Sequence, residues 1–469
     1  MGNYFVGQVL TSEAPNRCNC GEDGRVKSIP VGGVERKLAS GQWLKRGIKM
    51  HAGTAEVRSS DIERLVQIYM EELADSSLNA DEVYTIGEQI CVKAFGNNFW
   101  KKLFEKPKKE EKEASEEETK AEKEESGRTI VVTSVSQFKA IANAAIDTFK
   151  KFREDAANAT KENSTEKDEK QKLIFDAAVV NDLARKGEDG KELGKKDIAQ
   201  KRKDLLEAME KAMTKAAEKS AITAAEAMGG KFAASGVTGS VYSAAHVADS
   251  ISIDPLTRTY DFRVAKGLVS GEMDKNSDDP AYRALARFAE YVKNKPGSDN
   301  MHTVDLASNT MYRYMDVDIQ LFFRELGKHG QYTDAEMTDI AIETFTSWFE
   351  GLYVASPGGA KTLHSSNTRP GIFLFEAVSH GAPCQADWTE PIVRTDERGV
   401  MEGGIDHLLE EACDETFNVS QETRRYAMIR RSLRGKYEKK LEELGIKVLN
   451  NLDEFKAVVA EETVRLREE

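Results

Sequence analysis

The sequence predicts an α+β fold in which one ferredoxin-like sheet is assembled from distant parts of the chain. Two observations predict it. Strand-like segments are scattered, at the N-terminus and near residues 250, 310 and 375, and helical patterns fill the intervals between them. With 469 residues the chain can hold two or three domains, and its 31% of charged residues indicates that much of it is solvated.

Composition indicates a cytoplasmic protein without membrane association, metal or cofactor. No apolar run approaches the ~18 residues that a membrane span needs, and the N-terminus MGNYFVGQVL lacks the layout of a signal peptide. Five cysteines form no disulfide framework. Cys18 and Cys20 could suggest a metal site, but Cys91, Cys384 and Cys413 bring no second paired spacing, so free thiols are favoured.

The first elements are a strand at residues 4–10, a loop at residues 11–33 and a helix that starts at Ser40 and Gly41. Residues 25–58 hold eight Lys or Arg against two Glu, although the whole chain carries a net charge of −13. This local reversal of sign predicts a polyanion-binding surface; a surface helix with solvated charges explains the same count. The amides of Ser40 and Gly41 could add donors at the helix N-terminus.

The helix is amphipathic, because its apolar and polar residues separate at a helical period. The apolar face comprises Trp43, Leu44, Gly47 and Ile48. The polar face comprises Gln42, Lys45, Arg46 and Lys49.

Residues 61–228 are predicted to be mostly helical. An apolar stripe opens the region (Ile62, Leu65, Val66, Ile68, Tyr69 and Leu73), and the buried side of an Ala-rich stretch at residues 196–228 carries Leu205, Leu206, Met209 and Met213. An amphipathic helix is predicted at residues 137–152, and residues 128–134 read as a short strand or a helix start. Residues 105–126 lack aromatic and branched aliphatic side chains, which predicts an exposed arm, and residues 158–172 are a second polar segment.

Residues 254–301 combine Pro, Gly and many charges, so they are expected to leave the sheet, with a short helix at 282–292. A strand follows at 308–314, in which Tyr312 and Tyr314 share a face. Base stacking on such a face is known, but we favour packing within the protein. His246 has no ligand-spaced partner, which favours a packed histidine over a catalytic one.

The remaining elements are a helix at 333–352, a strand at 372–378 and, over residues 403–469, helices. Residues 424–440 hold eight basic residues and one Glu. This second basic stretch could contact nucleic acid, a partner subunit or only water.

The order of residues near the N-terminus resembles that of CasC, the repeated backbone subunit of type I-E CRISPR Cascade complexes. The matching features are Asn16-Arg17, an acidic loop, Lys27, Gly32-Gly33, Arg36 and the run Ser40-x-Gln42-x-Leu44-Lys45-Arg46. Gly41 and Trp43 stand where that family has serines. Asn16-Arg17 lies three residues further from Lys27 than usual, unless Asn19 takes the place of Asn16.

The resemblance continues along the chain. Gly229-Gly230-Lys231-Phe232 lies where the family has a Gly-Arg-Met turn, whose Met is a wedge between nucleotides. The loop that contains Lys361 and the final helix at 451–459 also match. The resemblance implies Phe232 as the wedge and Lys361 as a second phosphate contact.

It also implies a domain plan: an RRM-like palm from residues 1–60, 235–254 and 303–400, a helical finger domain at 61–234 that includes the charged insertion 105–126, a thumb at 255–302 and C-terminal helices at 401–469. The implied partners are CRISPR RNA, other Cascade subunits, further copies of the chain in a filament, and target DNA that pairs with the guide. The implied RNA-binding residues are Asn16, Arg17, Lys27, Arg36, Ser40, Gln42, Lys45, Arg46, Lys49, Phe232 and Lys361.

Two other functions remain open. Type III backbone relatives cut target RNA with a loop carboxylate and a metal, and Glu22 and Asp23 lie in a comparable loop. We find no convergent set of His, Lys and carboxylate residues and therefore expect no enzyme. A helical scaffold that binds no nucleic acid is the second alternative, and the acidic total charge favours it.

Overall fold

The computed structural model describes residues 2–53, 59–73, 80–95, 135–162, 195–231, 239–265, 276, 278–294, 300–354, 368–414, 420 and 422–469. The predictions for residues 105–126 and 128–134, for most of 158–172, and for Phe232 and Lys361 lie outside these ranges.

The described strands lie between Gly2 and Val448 and are numbered in chain order. They are β1 Gly2–Ser12, β2 Ser28–Val31, β3 Val34–Ala39, β4 Ala245–Val247, β5 Ser250–Ser252, β6 Arg258–Ala265, β7 Asn300–Ala307, β8 Thr310–Asp318, β9 Ile372–Gly381, β10 Glu422–Ile429 and β11 Lys447–Val448.

The helices occupy the intervals between these strands. They are α1 Gly41–His51, α2 Ser59–Leu73, α3 Ala80–Gln89, α4 Val135–Glu162, α5 Lys195–Lys219, α6 Ala224–Gly229, α7 Pro280–Asn294, α8 Ile319–Leu326, α9 Asp334–Val354, α10 Val400–Ala412, α11 Arg431–Glu443 and α12 Leu452–Glu468, with a π-helical turn at Ile90–Ala94 after α3.

Within the described residues, nine strands form one sheet in the order β11-β10-β9-β1-β8-β5-β3-β2, and β4 pairs with β8 beside β5. The prediction of one sheet built from distant segments is confirmed. β1 lies between β8 and β9 and runs antiparallel to both, so Phe5 is opposite Val317 on one side and Ala377 on the other. Only the two-residue β11 pairs in parallel in the described sheet.

One face of the sheet is covered by α1, α8, α9 and α12. Successive side chains of a strand point to opposite faces, and Phe5 and Val9 of β1 point to this one. The Phe5 ring centroid lies 5.5 Å from that of Phe345 on α9 and 5.1 Å from that of Phe375 on β9. The edge-on contact of Phe5 with Phe345 adds to the area burial that holds α9 on the sheet.

The opposite face is covered by α10, α11 and the segment around Trp388. Tyr312 is fully buried there, its ring centroid lies 5.2 Å from that of Trp388, and its hydroxyl donates to Gln8 Oε1 at 2.6 Å. Tyr314 is also buried. The preference for packing over base stacking at these two tyrosines is therefore confirmed.

A separate core joins α2, α3, α4 and α5. Leu205, Met209 and Met213 are buried in it as predicted, whereas Leu206 is half-buried. Ile68 is 42% exposed, so it does not belong to the core-facing stripe of α2. The Ala-rich stretch is two helices, since α5 ends at Lys219 and Thr223 caps α6.

Three predicted segments differ from the structure. The loop at residues 11–33 contains β2, which forms a hairpin with β3 through Gly32 and Gly33, both with positive φ. Residues 403–469 are not all helical, because β10 pairs with β9 along its whole length. The described residues between 254 and 301 lie outside the main sheet as predicted, but β6 pairs with β7 in a separate two-stranded ribbon.

Candidate nucleic-acid interface

The predicted faces of α1 are confirmed. Ser40 caps the helix and accepts a hydrogen bond from the Trp43 amide. Leu44 and Ile48 are fully buried, while Gln42 and Arg46 are exposed and the side chains of Lys45 and Lys49 are half-buried. The apolar face packs mainly on α9, where a Cβ added at Gly351 would lie 3.0 Å from the Ile48 Cα. This close approach holds the basic face of α1 toward the surface.

The N-terminus of α1 is already occupied by a carboxylate. The Gly41 amide donates to Asp249 Oδ1 at 2.6 Å, as the positive end of the helix dipole favours. The idea that the Gly41 amide serves an external phosphate is therefore wrong for this structure. A Cβ at residue 41 would also lie 2.4 Å from the Val247 carbonyl oxygen, which explains why glycine stands here.

The loop at residues 13–27, which we call the N-terminal loop, is fastened to the start of α1. Asn19, with φ of 51°, donates from its amide group to the Ser40 hydroxyl at 2.9 Å. Lys27 accepts a backbone hydrogen bond from Leu38 at 2.9 Å. Arg17 donates to the Gly24 carbonyl through Nε at 3.0 Å. These hydrogen bonds join the N-terminal loop, which carries Arg17 and Lys27, to β3 and to Ser40 at the start of α1.

A buried charged cluster lies beneath this loop. Lys37 Nζ lies 2.7 Å from Glu13 Oε2 and donates to Asn16 Oδ1 at 2.8 Å. Arg313 lies 3.6 Å from the same Glu13, and burial lowers the pKa of its guanidinium. Since Asn16 is fully buried, its side chain orients the loop and has no surface for contact with RNA in this structure.

Arg36 is a second predicted site residue that the structure buries completely. Its guanidinium donates to the carbonyl oxygens of Ser252 at 2.9 Å and Trp388 at 3.2 Å. Burial lowers the pKa of Arg36. These contacts hold the segment around Trp388 against β3 and β5, so we remove Arg36 and Asn16 from the set of direct contacts.

Lys45 connects α1 to the chain that leads into β4. Its Nζ donates to the Ser243 hydroxyl at 2.9 Å and to the Ala245 carbonyl at 3.2 Å. Ser243 and Asp249 were not predicted as parts of the site, and no local pattern identifies them, because both reach α1 from about 200 residues away.

Three basic side chains of this region have no anionic partner in the part of the chain that the structure describes. Arg17, Lys27 and Arg46 form no ion pair with any residue that the structure describes. In the same loop, Asp23 accepts a hydrogen bond from the Arg25 amide at 3.0 Å and lies 3.8 Å from the Arg25 guanidinium.

The second basic stretch, in β10 and α11, is different because most of its charges are paired with carboxylates of the same chain. The pairs are Arg424 with Glu422 at 2.7 Å, Arg425 with Glu376 at 3.0 Å, Arg434 with Glu438 at 3.0 Å, Lys436 with Glu402 at 2.9 Å, Lys439 with Glu443 at 3.6 Å and Lys440 with Asp406 at 2.8 Å. The region around α1 is therefore the better candidate for a polyanion site.

The prediction that His246, on β4, is a packed histidine is wrong. Its side chain is 57% exposed, and Nδ1 lies 2.8 Å from Asp316 Oδ1. The hydrogen bond to Asp316 raises the pKa of His246, although burial and the nearby Lys45 act in the opposite direction.

Two general features complete the description. Among the residues that the structure describes, no three His, Cys, Asp or Glu side chains are placed so that they could share a metal ion. None of the helices in those ranges combines the length and the apolar character that crossing a bilayer requires.

The fold is similar to that of chains in two solved assemblies. The first, titled "CRISPR RNA-guided surveillance complex, pre-nicking", gives a TM-score of 0.59 at 13% identity over 99% of this chain and 100% of that chain. The second, titled "CRISPR RNA-guided surveillance complex", gives a TM-score of 0.52 at 13% identity over 97% and 99%. At 13% identity the similarity to these two chains is evidence for a shared fold alone.

A search of the curated proteins found no match. The sequence model of the CT1975-like proteins, a Cas family, matches residues 8–267 and 288–456. These two ranges cover most of the chain, and the protein therefore belongs to the CT1975-like family.

Proposed function

We propose that this protein is the CRISPR RNA-binding backbone subunit of a Cascade-like surveillance complex. Membership of a Cas family and the likeness to chains of two CRISPR RNA-guided complexes support an assembly of this kind. The observation that carries the RNA-binding role is the contrast between the two basic stretches. Carboxylates of the chain pair most of the charges in β10 and α11, whereas Arg17, Lys27 and Arg46 lie beside α1 without an anionic partner among the described residues.

The proposed RNA surface consists of Gln42, Lys45, Arg46 and Lys49 on α1, with Ser40, Arg17 and Lys27 at its N-terminal side. Arg46 and Gln42 are exposed and can contact phosphates directly. Contacts to phosphates carry no sequence information, which suits a protein that must accept guides of any sequence.

The sheet supports the interpretation as an RRM-like palm. Strands β9, β1, β8 and β5 are neighbours in that order, and each runs antiparallel to the next, as in a ferredoxin-like unit. We interpret the core of α2 to α5 as the finger domain, and β6, β7 and α7 as the thumb. The boundaries of these domains remain predictions.

In the proposed mechanism, copies of the chain assemble along one guide RNA and present its bases for pairing with target DNA. Specificity then comes from base pairing, and the protein recognises the backbone. Phe232 as a wedge and Lys361 as a phosphate contact remain predictions of the family resemblance, as does the CasC subtype.

We propose a binding role without catalysis. The alternative, metal-dependent cleavage of target RNA, would place Asp23 in the reaction. Incubation of the assembled complex with complementary RNA and magnesium tests this directly. Regularly spaced cuts that disappear in the Asp23→Ala variant would establish the cleaving function instead.

Purification tests the proposed function itself. The chain should co-purify with RNA, seen as a raised absorbance near 260 nm that ribonuclease treatment removes, and the RNA-free chain should bind single-stranded RNA at low salt. A chain that purifies without RNA and binds none at low salt would favour the helical scaffold.

A further inference from the structure

Tyr242 is an aromatic side chain that the structure displays beside the proposed RNA surface. It is 68% exposed, although its neighbours Val241 and Ala244 are buried. Its ring contacts no other aromatic ring and its hydroxyl has no hydrogen-bond partner among the described residues. Packing within the described part of the chain therefore does not account for the position of this side chain.

The backbone on both sides of Tyr242 is held firmly. Val241 exchanges two backbone hydrogen bonds of 2.8 Å with Lys231. On the other side, the Ser243 hydroxyl lies 2.7 Å from the Ala245 carbonyl oxygen and 2.9 Å from that of Met228. A side chain with few rotatable bonds on such a backbone loses little conformational entropy when it binds a ligand.

Tyr242 directly precedes a residue that contacts the basic helix. The residue that follows it, Ser243, accepts a hydrogen bond from Lys45 Nζ at 2.9 Å. An exposed ring thus lies one residue away from the point where a basic side chain of α1 is anchored. Single-stranded nucleic acids are bound by this combination of positive charge along the backbone and aromatic rings under the bases.

We propose that Tyr242 is a further RNA-binding residue, whose ring stacks on a base of the strand held by α1. The inference depends on the proposed function, because it places the ring on the same RNA. Stacking is tolerant of sequence, since every base has a π face, so this contact is compatible with guides of any sequence. It is a different residue from the predicted wedge Phe232, which lies outside the described residues.

The test compares two polyanions that differ in whether they carry bases. The full-length, RNA-free chain is titrated with a single-stranded oligoadenylate and, separately, with inorganic polyphosphate, over a range of salt concentrations. Tyr242→Ala should weaken oligoadenylate binding by about 5-fold to 100-fold, the range expected for one stacked base, and should leave polyphosphate binding unchanged. Because no charge is removed, the salt slope for oligoadenylate should stay the same.

Two further variants separate stacking from other effects. Tyr242→Phe keeps the ring and should bind oligoadenylate like the original chain, whereas Tyr242→Leu keeps apolar area without a π face and should lose most of the affinity. Arg46→Ala should weaken the binding of both polyanions and lower the salt slope. Thermal unfolding of each variant checks that the exposed position leaves the fold intact.

The outcomes distinguish the two proposals. If the original chain binds oligoadenylate and Tyr242→Ala binds it equally well, the stacking role is refuted while RNA binding stands. Equal losses for oligoadenylate and polyphosphate would also refute stacking, because polyphosphate has no bases. If the original chain binds neither polyanion, the proposed function itself fails.

Discussion

The Nζ of Lys45 donates a hydrogen bond to the hydroxyl of Ser243 at 2.9 Å and so ties the basic helix α1 to a segment almost 200 residues further along the chain. Both of the partners of Lys45 described above, this hydroxyl and the Ala245 carbonyl, are uncharged. These two contacts fix the position of the Lys45 ammonium group beside the start of β4.

Arg46→Ala should weaken single-stranded RNA binding and reduce the magnitude of the salt slope by about 0.7, the loss expected for one phosphate contact. The matched control is Lys439→Ala, which removes the same charge from the second basic stretch, where Lys439 is paired with Glu443. Its RNA affinity should equal that of the original chain. Fluorescence anisotropy at several salt concentrations measures the RNA affinity and the salt slope of both variants. Equal effects of the two substitutions would show that α1 does not bind the RNA.

Asp249→Asn should strengthen RNA binding at low salt, because it removes a negative charge beside α1. The same change should destabilise the fold by about 0.5–1 kcal/mol, since the carboxylate accepts from the Gly41 amide at the positive end of the helix. Binding and urea unfolding are measured on one preparation. If RNA binding weakens instead, Asp249 supports the site and does not compete with phosphate.

Lys37→Met should destabilise the fold by about 3–5 kcal/mol, because it removes one of the two cations that lie beside the buried Glu13 carboxylate. Adding Glu13→Gln takes that carboxylate away from the buried Arg313 guanidinium, so the double variant should remain destabilised. Urea denaturation of the single and double variants measures both losses. A double variant as stable as the original chain would contradict the cluster of three charges as the cause.

Gly41→Ser, which introduces the residue that the CasC pattern carries here, should destabilise the fold by about 1–3 kcal/mol. The added Cβ would lie 2.4 Å from the Val247 carbonyl oxygen, so the backbone of either α1 or β4 must move. Gly435→Ala is the control, since nothing lies within 4 Å of a Cβ at that helical position. The control should be neutral or slightly stabilising in the same thermal unfolding measurement.

His246 should make stability depend on pH near neutrality. Its pKa is raised in the folded protein by the hydrogen bond to Asp316, so the protonated form is favoured by folding. The contribution of the pair is complete below the ordinary histidine pKa of about 6.5 and is lost as pH rises through the folded value. His246→Asn should flatten the change in melting temperature over that interval. In NMR titrations, one histidine resonance of the original chain should have its midpoint at a higher pH than the same resonance of the Asp316→Asn variant.

Local patterns were sufficient for the elements whose residues repeat at a clear period. The alternation in β8 predicted that Tyr312 and Tyr314 share a face, and the helical spacing in α1 predicted its buried and polar faces. They failed for β10, where Arg424 and Arg425 suggest a solvated helix but the backbone pairs with β9. A strand next to a two-residue edge strand carries charged side chains at little cost, which hides it from a hydrophobic pattern.

By itself, the sequence determined that a basic, amphipathic helix follows the first strand and that two stretches of the chain are strongly basic. Only the tertiary structure decided which of them is available to an external polyanion. Glu376 and Asp406 come from other elements and pair with Arg425 and Lys440. Asp249 and Ser243 contact α1 at Gly41 and Lys45, about one helical turn apart, and leave Arg46 exposed. Charge pairing between residues far apart in sequence depends on how the strands are ordered in the sheet, and no local pattern carries that information.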